Sequence, residues 1–265
     1  MTATTTTTTE EEETTEEGED LFDRSRILSH VERYHLSGEI ESVKWNFENG
    51  TFSTSFVSPD NTIIGEVQVE NVPYQKNAKL GVMQTSSLKK LVKILDTQFN
   101  LSLEHAGDQA RVMKLDDNFK TIDFRLSNLS VIPETPKLKK LPEFQVSLEI
   151  TEEFANDFRN AESALDEDEF AVRTTADGVE IVVGYTADSR REHNNKVTIP
   201  IDVGDYKQFE NNNVTFKADT FAEILKANSD AETATWDISD EGLSFIEFEG
   251  EDWNASYYFV SQQEV

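Results

Sequence analysis

The sequence predicts an α+β protein built of two similar domains, each with two short helices packed on antiparallel β-sheet. Three observations carry this. Four short segments show helical periodicity, and between them the hydrophobic period changes to two. The order helix, three strands, helix, three strands then occurs twice, with helix starts near residues 24 and 85 in the first half and 152 and 219 in the second. A helix of about a dozen residues is only ~18 Å long. Packing two such helices on one face of an antiparallel sheet buries both apolar stripes.

The first helix is expected over 24–35, with Ile27, Leu28, Val31 and Tyr34 on one side. Ile40, Val43, Trp45 and Phe47, then Phe52 and Phe56, then Ile64, Val67 and Val69 read as three strands. Asn49-Gly50 turns the first pair and Pro59-Asp60-Asn61 the second. A second helix over 86–98 carries a Leu88, Leu91, Val92 and Leu95 stripe, with Thr85 as its N-cap. Strands at 101–103, 112–115 and 119–126 close the first half.

The third helix, 152–165, is capped by Thr151 and aligns Phe154, Phe158, Ala161 and Leu165. Strands at 170–174 and 179–185 flank Asp177-Gly178, and 197–201 follows. The fourth helix, 219–228, presents Phe221, Ile224 and Leu225 and leads to strands at 235–238, 243–248 and 256–260. Between the halves, Val131-Ile132-Pro133 to Leu141-Pro142 reads as an extended connector. The expected divisions are a tail over 1–21, a domain over 22–130, the connector over 131–142 and a second domain over 143–265.

Composition narrows the chemistry. Cysteine is absent from the 265 residues, which excludes disulfides, thiolate metal sites and a Cys nucleophile. No phosphate-cradling Gly loop, Gly-x-Ser-x-Gly or His-Glu-x-x-His occurs, and the four histidines are scattered. Carboxylate clusters such as Asp116-Asp117 and Glu249–Asp252 read as turns or solvated faces, and Trp45, Trp236 and Trp253 as sheet packing. The expectation is no catalytic residue, no metal and no cofactor. Met1–Asp20, a Thr run followed by a Glu/Thr run, holds eight carboxylates and no base and reads as a disordered tail. Nothing resembles a signal peptide or a membrane span, so a soluble, unexported protein is expected.

The net charge of -28 argues on its face against phosphate binding, yet net charge is silent about distribution. On the helical wheel, Lys89, Lys90 and Lys93 lie opposite the stripe of the second helix, and Arg26, His30 and Arg33 opposite that of the first. Arg159 and Lys226 face away from their stripes too, among Glu152, Asp219 and Glu223. A solvated face is the plain alternative reading.

The doubled plan resembles that of the DNA sliding clamps, whose domains close into a ring with helices lining the hole and sheets outside. Phe248-Glu249-Gly250-Glu251 leading to Asn254-Ala255-Ser256-Tyr257-Tyr258 is similar to the end of clamps of the T-even tailed-phage branch, and the Pro-rich connector falls where those clamps have one. The resemblance spans about residues 22–261 and departs in the acidic tail and the weakly basic second-half helices.

It implies a non-enzymatic processivity factor in an infected bacterial cytoplasm: a homo-oligomeric ring, thought of as a trimer, that takes duplex DNA without sequence preference. Its partners would be a DNA polymerase and a clamp loader. The DNA-facing residues would be Arg26, Arg33, Lys89, Lys90, Lys93, Arg159 and Lys226, and partners would dock at Val131, Ile132 and Leu138, which equally suit ordinary packing. The rival reading is a structural or adaptor protein of a phage particle or assembly.

Overall fold

The computed structural model describes residues 21–185, 195–210 and 213–262. The tail expected to be disordered lies outside them, except for Leu21, which starts a strand.

The first half runs β1 (Leu21–Asp23), α1 (Arg24–His35), β2 (Val43–Glu48), β3 (Thr51–Val57), β4 (Ile63–Val69), β5 (Ala78–Val82), α2 (Thr85–Lys93), β6 (Gln98–Ala106), β7 (Gln109–Asp116) and β8 (Thr121–Arg125). The second runs β9 (Val146–Glu149), α3 (Glu152–Leu165), β10 (Glu169–Thr174), β11 (Val179–Val183), β12 (Val197–Ile201), β13 (Asn213–Lys217), α4 (Ala218–Ala227), β14 (Thr233–Ile238), β15 (Leu243–Gly250) and β16 (Trp253–Val260). No helix among the described residues is long and apolar enough to cross a membrane.

Two of the four helices begin at a local side-chain cap. Asp23 caps α1, its carboxylate accepting from Ser25 N at 2.6 Å, and Thr151 Oγ1 caps α3 by accepting from Phe154 N at 3.1 Å. The α4 helix starts at Ala218 with no side-chain cap and carries Asp219 in its first turn. The α2 start differs from the expectation: Thr85 is its first helical residue. The cap comes from a distant loop, since the Glu41 carboxylate accepts from Ser86 N at 3.0 Å and its carbonyl from Thr85 Oγ1 at 3.0 Å. The helix also ends earlier, at Lys93, because the chain turns at Leu95 into β6.

The strands form three antiparallel sheets. Two are four-stranded, ordered β1-β6-β7-β8 and β12-β11-β10-β13. The third has eight strands, ordered β5-β2-β3-β4-β16-β15-β14-β9, and passes from one half to the other through the β4–β16 pair. The Asn49-Gly50 turn between β2 and β3 has φ of 52° and 78°, the double positive φ of a type I′ hairpin. In β4 the inward positions are Ile63, Gly65, Val67 and Val69, so Ile64 faces outward, contrary to the expected strand pattern. Gly65 is required there: a Cβ would lie 2.3 Å from the Phe56 ring and 2.6 Å from Ser256 O.

Helix contacts run α2–α1–α4–α3, with α1 against β4 of the long sheet and α3 and α4 against the β12-β11-β10-β13 sheet. Beneath α1 lie Trp45, Phe47 and Phe52, while Phe158 of α3 and Phe221 of α4 pack on Phe170 of β10 and, for Phe221, on Trp236 of β14; all are buried in one continuous core. Burying such rings supplies most of the stabilisation of a fold of this kind.

Candidate nucleic-acid interface

The α2 helix buries Leu88 and Val92 and turns its lysines outward. Lys89 is ion-paired to Glu32 of α1 at 3.1 Å. Lys90 and Lys93 are exposed, and among the described residues no carboxylate lies within ion-pair distance of either. Three residues apart on one helix, they present their charges together.

The α1 helix corrects the wheel. Arg33 is only 2% exposed and therefore does not stand on an open face. Its Nη2 donates to both Asp230 oxygens at 2.9 and 2.7 Å, and its guanidinium lies 3.4 Å from the Trp253 ring centroid. Burial pushes its pKa down, while Asp230 acts against the shift. His30 is also buried, stacked at 3.7 Å on Phe52 and sharing a 2.8 Å hydrogen bond with Thr54 Oγ1. The causes differ: Asp230, just after α4, and Trp253 at the β15–β16 turn close over Arg33, while His30 lies on β3 of the sheet beneath α1. Arg26 lies half-buried at that seam, donating to Glu70 O at 2.8 Å and to the Asp252 carboxylate.

The second pair of helices has the opposite sign. Helices α1 and α2 together hold six Lys/Arg against one carboxylate, while α3 and α4 hold two against six. Arg159 is partly exposed and has no carboxylate within ion-pair distance among the described residues, whereas Lys226 is paired to Glu223 at 2.9 Å. Glu162 is held above the usual carboxylate range, first by burial and then by the charges of Asp219, Asp166 and Glu223. The helix layer is thus cationic at α2 and anionic across α3 and α4.

The outer face of the long sheet is different again. Glu66, Ser256, Glu247, Thr235 and Glu149 stand in one cross-strand row, an acidic stripe. A second row aligns Val57, Ile64, Tyr258 and Phe245, with the last two rings 4.8 Å apart. The connector crosses this face, with Glu134 paired to Lys44 and a cleft of about 410 Å³ between Pro133–Lys137 and strands β2–β4.

Val131 and Leu138 are exposed there, at 60% and 40%. Ile132 is 3% exposed and packs above Gly81 of β5, which corrects its placement on a docking surface. The Val57–Phe245 row was not legible beforehand, because its residues share a face only once the order of strands is known.

Two sheet edges stand out. The edge of β13 is met by Gln262, whose N donates to Thr215 O at 2.9 Å, and β1 is only three residues long. Strands β8 and β12, five residues each, end their sheets with no neighbour among the described residues. Pro200 within β12 suits an edge position.

No protein-family model matches this chain, and no curated protein matches it. Solved structures do. A proliferating cellular nuclear antigen from Entamoeba histolytica superposes with a TM-score of 0.68 at 16% identity, covering 92% of this chain and 98% of that one. The proliferating cellular nuclear antigen of A. fulgidus, solved with the C-terminal region of FEN-1 bound, gives 0.69 at 15% identity with the same coverage. At such identity the likeness establishes the fold: two domains of helices on antiparallel sheets, arranged as in these proliferating cellular nuclear antigens.

Proposed function

We propose that this chain is one subunit of a DNA sliding clamp, a non-enzymatic ring that encircles duplex DNA and tethers the replicative polymerase to it. The observation that carries the reading is the clamp fold over 92% of the chain, joined to a lysine face on α2 in a protein of net charge -28. Lys90 and Lys93, with Lys89 and Arg26 as partly neutralised neighbours and Arg159 and Lys226 further along the layer, would meet phosphates without reading bases. The acidic outer stripe would repel DNA from the wrong side of the ring.

Closure follows from the edges. If β8 of one copy pairs with β12 of the next, the contact is heterologous, and such contacts build rings when the rotation closes. Three copies, the number expected for the tailed-phage branch, would place six helix-on-sheet domains around the hole. Polymerase and clamp loader would dock on the outer face beside the connector, where Val131 and Leu138 are exposed at either end of the stretch, 133–137, that lines the cleft.

The test is topological. Loaded onto duplex by its loader, the protein should be retained on closed circles and lost from linear molecules through their ends. Equal loss from both would overturn encirclement.

A further inference from the structure

We propose that the second half holds a binding site for a small organic cation with a guanidinium or primary ammonium head. The site is the cavity between the first turn of α3 and the end of α4, about 330 Å³ in volume. That lies within the usual span of small-ligand pockets, ~300–1,000 Å³. The inference does not depend on the DNA reading.

The repeat within the chain indicates what such a corner takes. In the first half, Arg24 is the first residue of α1 after its Asp23 cap, and its guanidinium donates to the Leu95 carbonyl just beyond α2. A cation carried by the chain thus ties the start of one helix to the end of the next, where backbone carbonyls lack helical partners. Counted from the caps, Arg24 corresponds to Glu152; counted from the helix starts Thr85 and Ala218, Leu95 corresponds to Asn228. The second half therefore has a carboxylate in place of the guanidinium and an amide in place of the apolar side chain. Glu152 and Asn228 both line the cavity.

Asn228 is the second, independent observation. It is 2% exposed, as Leu95 is. Its side-chain amide donates to Ile224 O and to the Tyr257 hydroxyl, at 2.8 Å each. The Ile224 carbonyl can only accept, so the amide cannot be turned round. Its Oδ1 is left a buried acceptor with no hydrogen-bond partner among the described residues. Leu95 needs no such partner; Asn228 does, and a ligand N–H of the class that Arg24 supplies would meet the need.

Charge selects the sign of the ligand. Glu152 and Glu232 line the cavity against one base, Arg159. The negative end of α4 favours a cation, and Glu152 and Glu153 in the first turn of α3 offset the positive end of that helix. An anion would meet one guanidinium among these carboxylates.

Agmatine, which carries both heads, titrated into the isotope-labelled full chain at low salt should shift the Asn228 side-chain amide resonances and saturate at ~1 mM. Glu152→Arg, which supplies the guanidinium from the chain as Arg24 does, should abolish the response. Glu152→Gln should weaken binding about three- to fivefold. Glu152 is exposed, so both variants should fold. Methylguanidine and putrescine separate the two heads, and a response to either supports the site. No response to any of the three cations overturns the proposal. So does agmatine binding that Glu152→Arg leaves unchanged, or a response of Asn228 to inorganic phosphate in their place.

Discussion

Arg33 lies with its guanidinium 3.4 Å from the centroid of the Trp253 ring, so a residue of the first helix is held by the turn between the last two strands. The same side chain grips Asp230 with both carboxylate oxygens, and the Tyr257 hydroxyl donates to the Arg33 carbonyl at 2.8 Å. Asn228 in turn donates to that hydroxyl at 2.8 Å. The two halves are therefore joined by this buried cluster as well as by the continuous sheet at β4–β16.

Arg33→Ala should cost about 2–4 kcal/mol of unfolding free energy, since it removes a buried cation's pairing and the packing of its stem. The exposure of Asp230, 58% at its side chain, keeps the figure at the lower end for a buried pair. Arg33→Met, which keeps the volume and needs no counter-charge, should stay within about 1 kcal/mol of the parent. Urea unfolding followed by tryptophan fluorescence measures both. Arg33→Met should also keep duplex affinity; a large loss would return Arg33 to the DNA-facing set.

His30 makes the fold sensitive to mild acid. Burial, and then the charge of Arg33, hold its folded pKa well below the ordinary value of 6.5. The unfolded chain thus binds a proton that the folded chain refuses. Its contribution is present above pH 6.5 and is lost as pH falls toward the folded pKa, by at most about 1.4 kcal/mol per pH unit. Stability measured from pH 7 to 5 should decline accordingly, and His30→Phe should flatten the slope over that interval. An unchanged slope would remove His30 as the cause.

Charge reversal on the helix layer should be graded by pairing. Lys90→Glu/Lys93→Glu removes two unpaired cations per subunit and should lower the slope of log affinity against log salt by about 2 per engaged subunit. Lys226→Glu should change it by less than half as much, because Glu223 already neutralises that lysine. Equal effects would mean that the layer acts by its summed field rather than through α2.

The helices and hairpins were legible because their signals are local. Thr151 and the stripe behind it bound α3 with no outside help, and Asn49-Gly50 makes the turn its residues demand. What was not legible came from distant chain. Glu41 caps α2 from another loop, so Thr85 misleads. Arg33 and His30 sit opposite the stripe of α1 on a wheel, yet residues 230 and 253 cover the first and residues 52 and 54 the second. Strands β5, β9 and β13 have only four or five residues and were not expected, whereas β11, equally short, is marked by the Asp177-Gly178 turn of its hairpin. Of the candidate site, α2 was visible as a cationic helix, but the pairing that distinguishes Lys90 from Lys226 was not.

Gly65→Ala tests the sheet seam between the halves. Its Cβ would press on the Phe56 ring and on Ser256 O, which belongs to the backbone of β16 and cannot rotate away. Overpacking of this kind costs about 1–3 kcal/mol, and for this chain length a drop in Tm of a few degrees should follow. An unchanged Tm would show that β4 and β16 can part without penalty.

The assembly prediction is the most discriminating, because a head-to-tail edge contact has a signature no symmetric contact shares. Lysines along an edge strand are an effective block to pairing. Thr121→Lys/Asp123→Lys should block β8 and leave β12 intact, and Thr198→Lys should do the reverse. These side chains are exposed or half-exposed, so the folds should survive. Each variant alone should be monomeric by light scattering, having one blocked and one usable edge of different kind. Mixed, the open β12 edge of the first should meet the open β8 edge of the second and stop there, since the remaining two edges are both blocked. A dimer in the mixture and monomers apart would assign the contact to β8 and β12. Rings from either variant alone would place subunit contact on another surface.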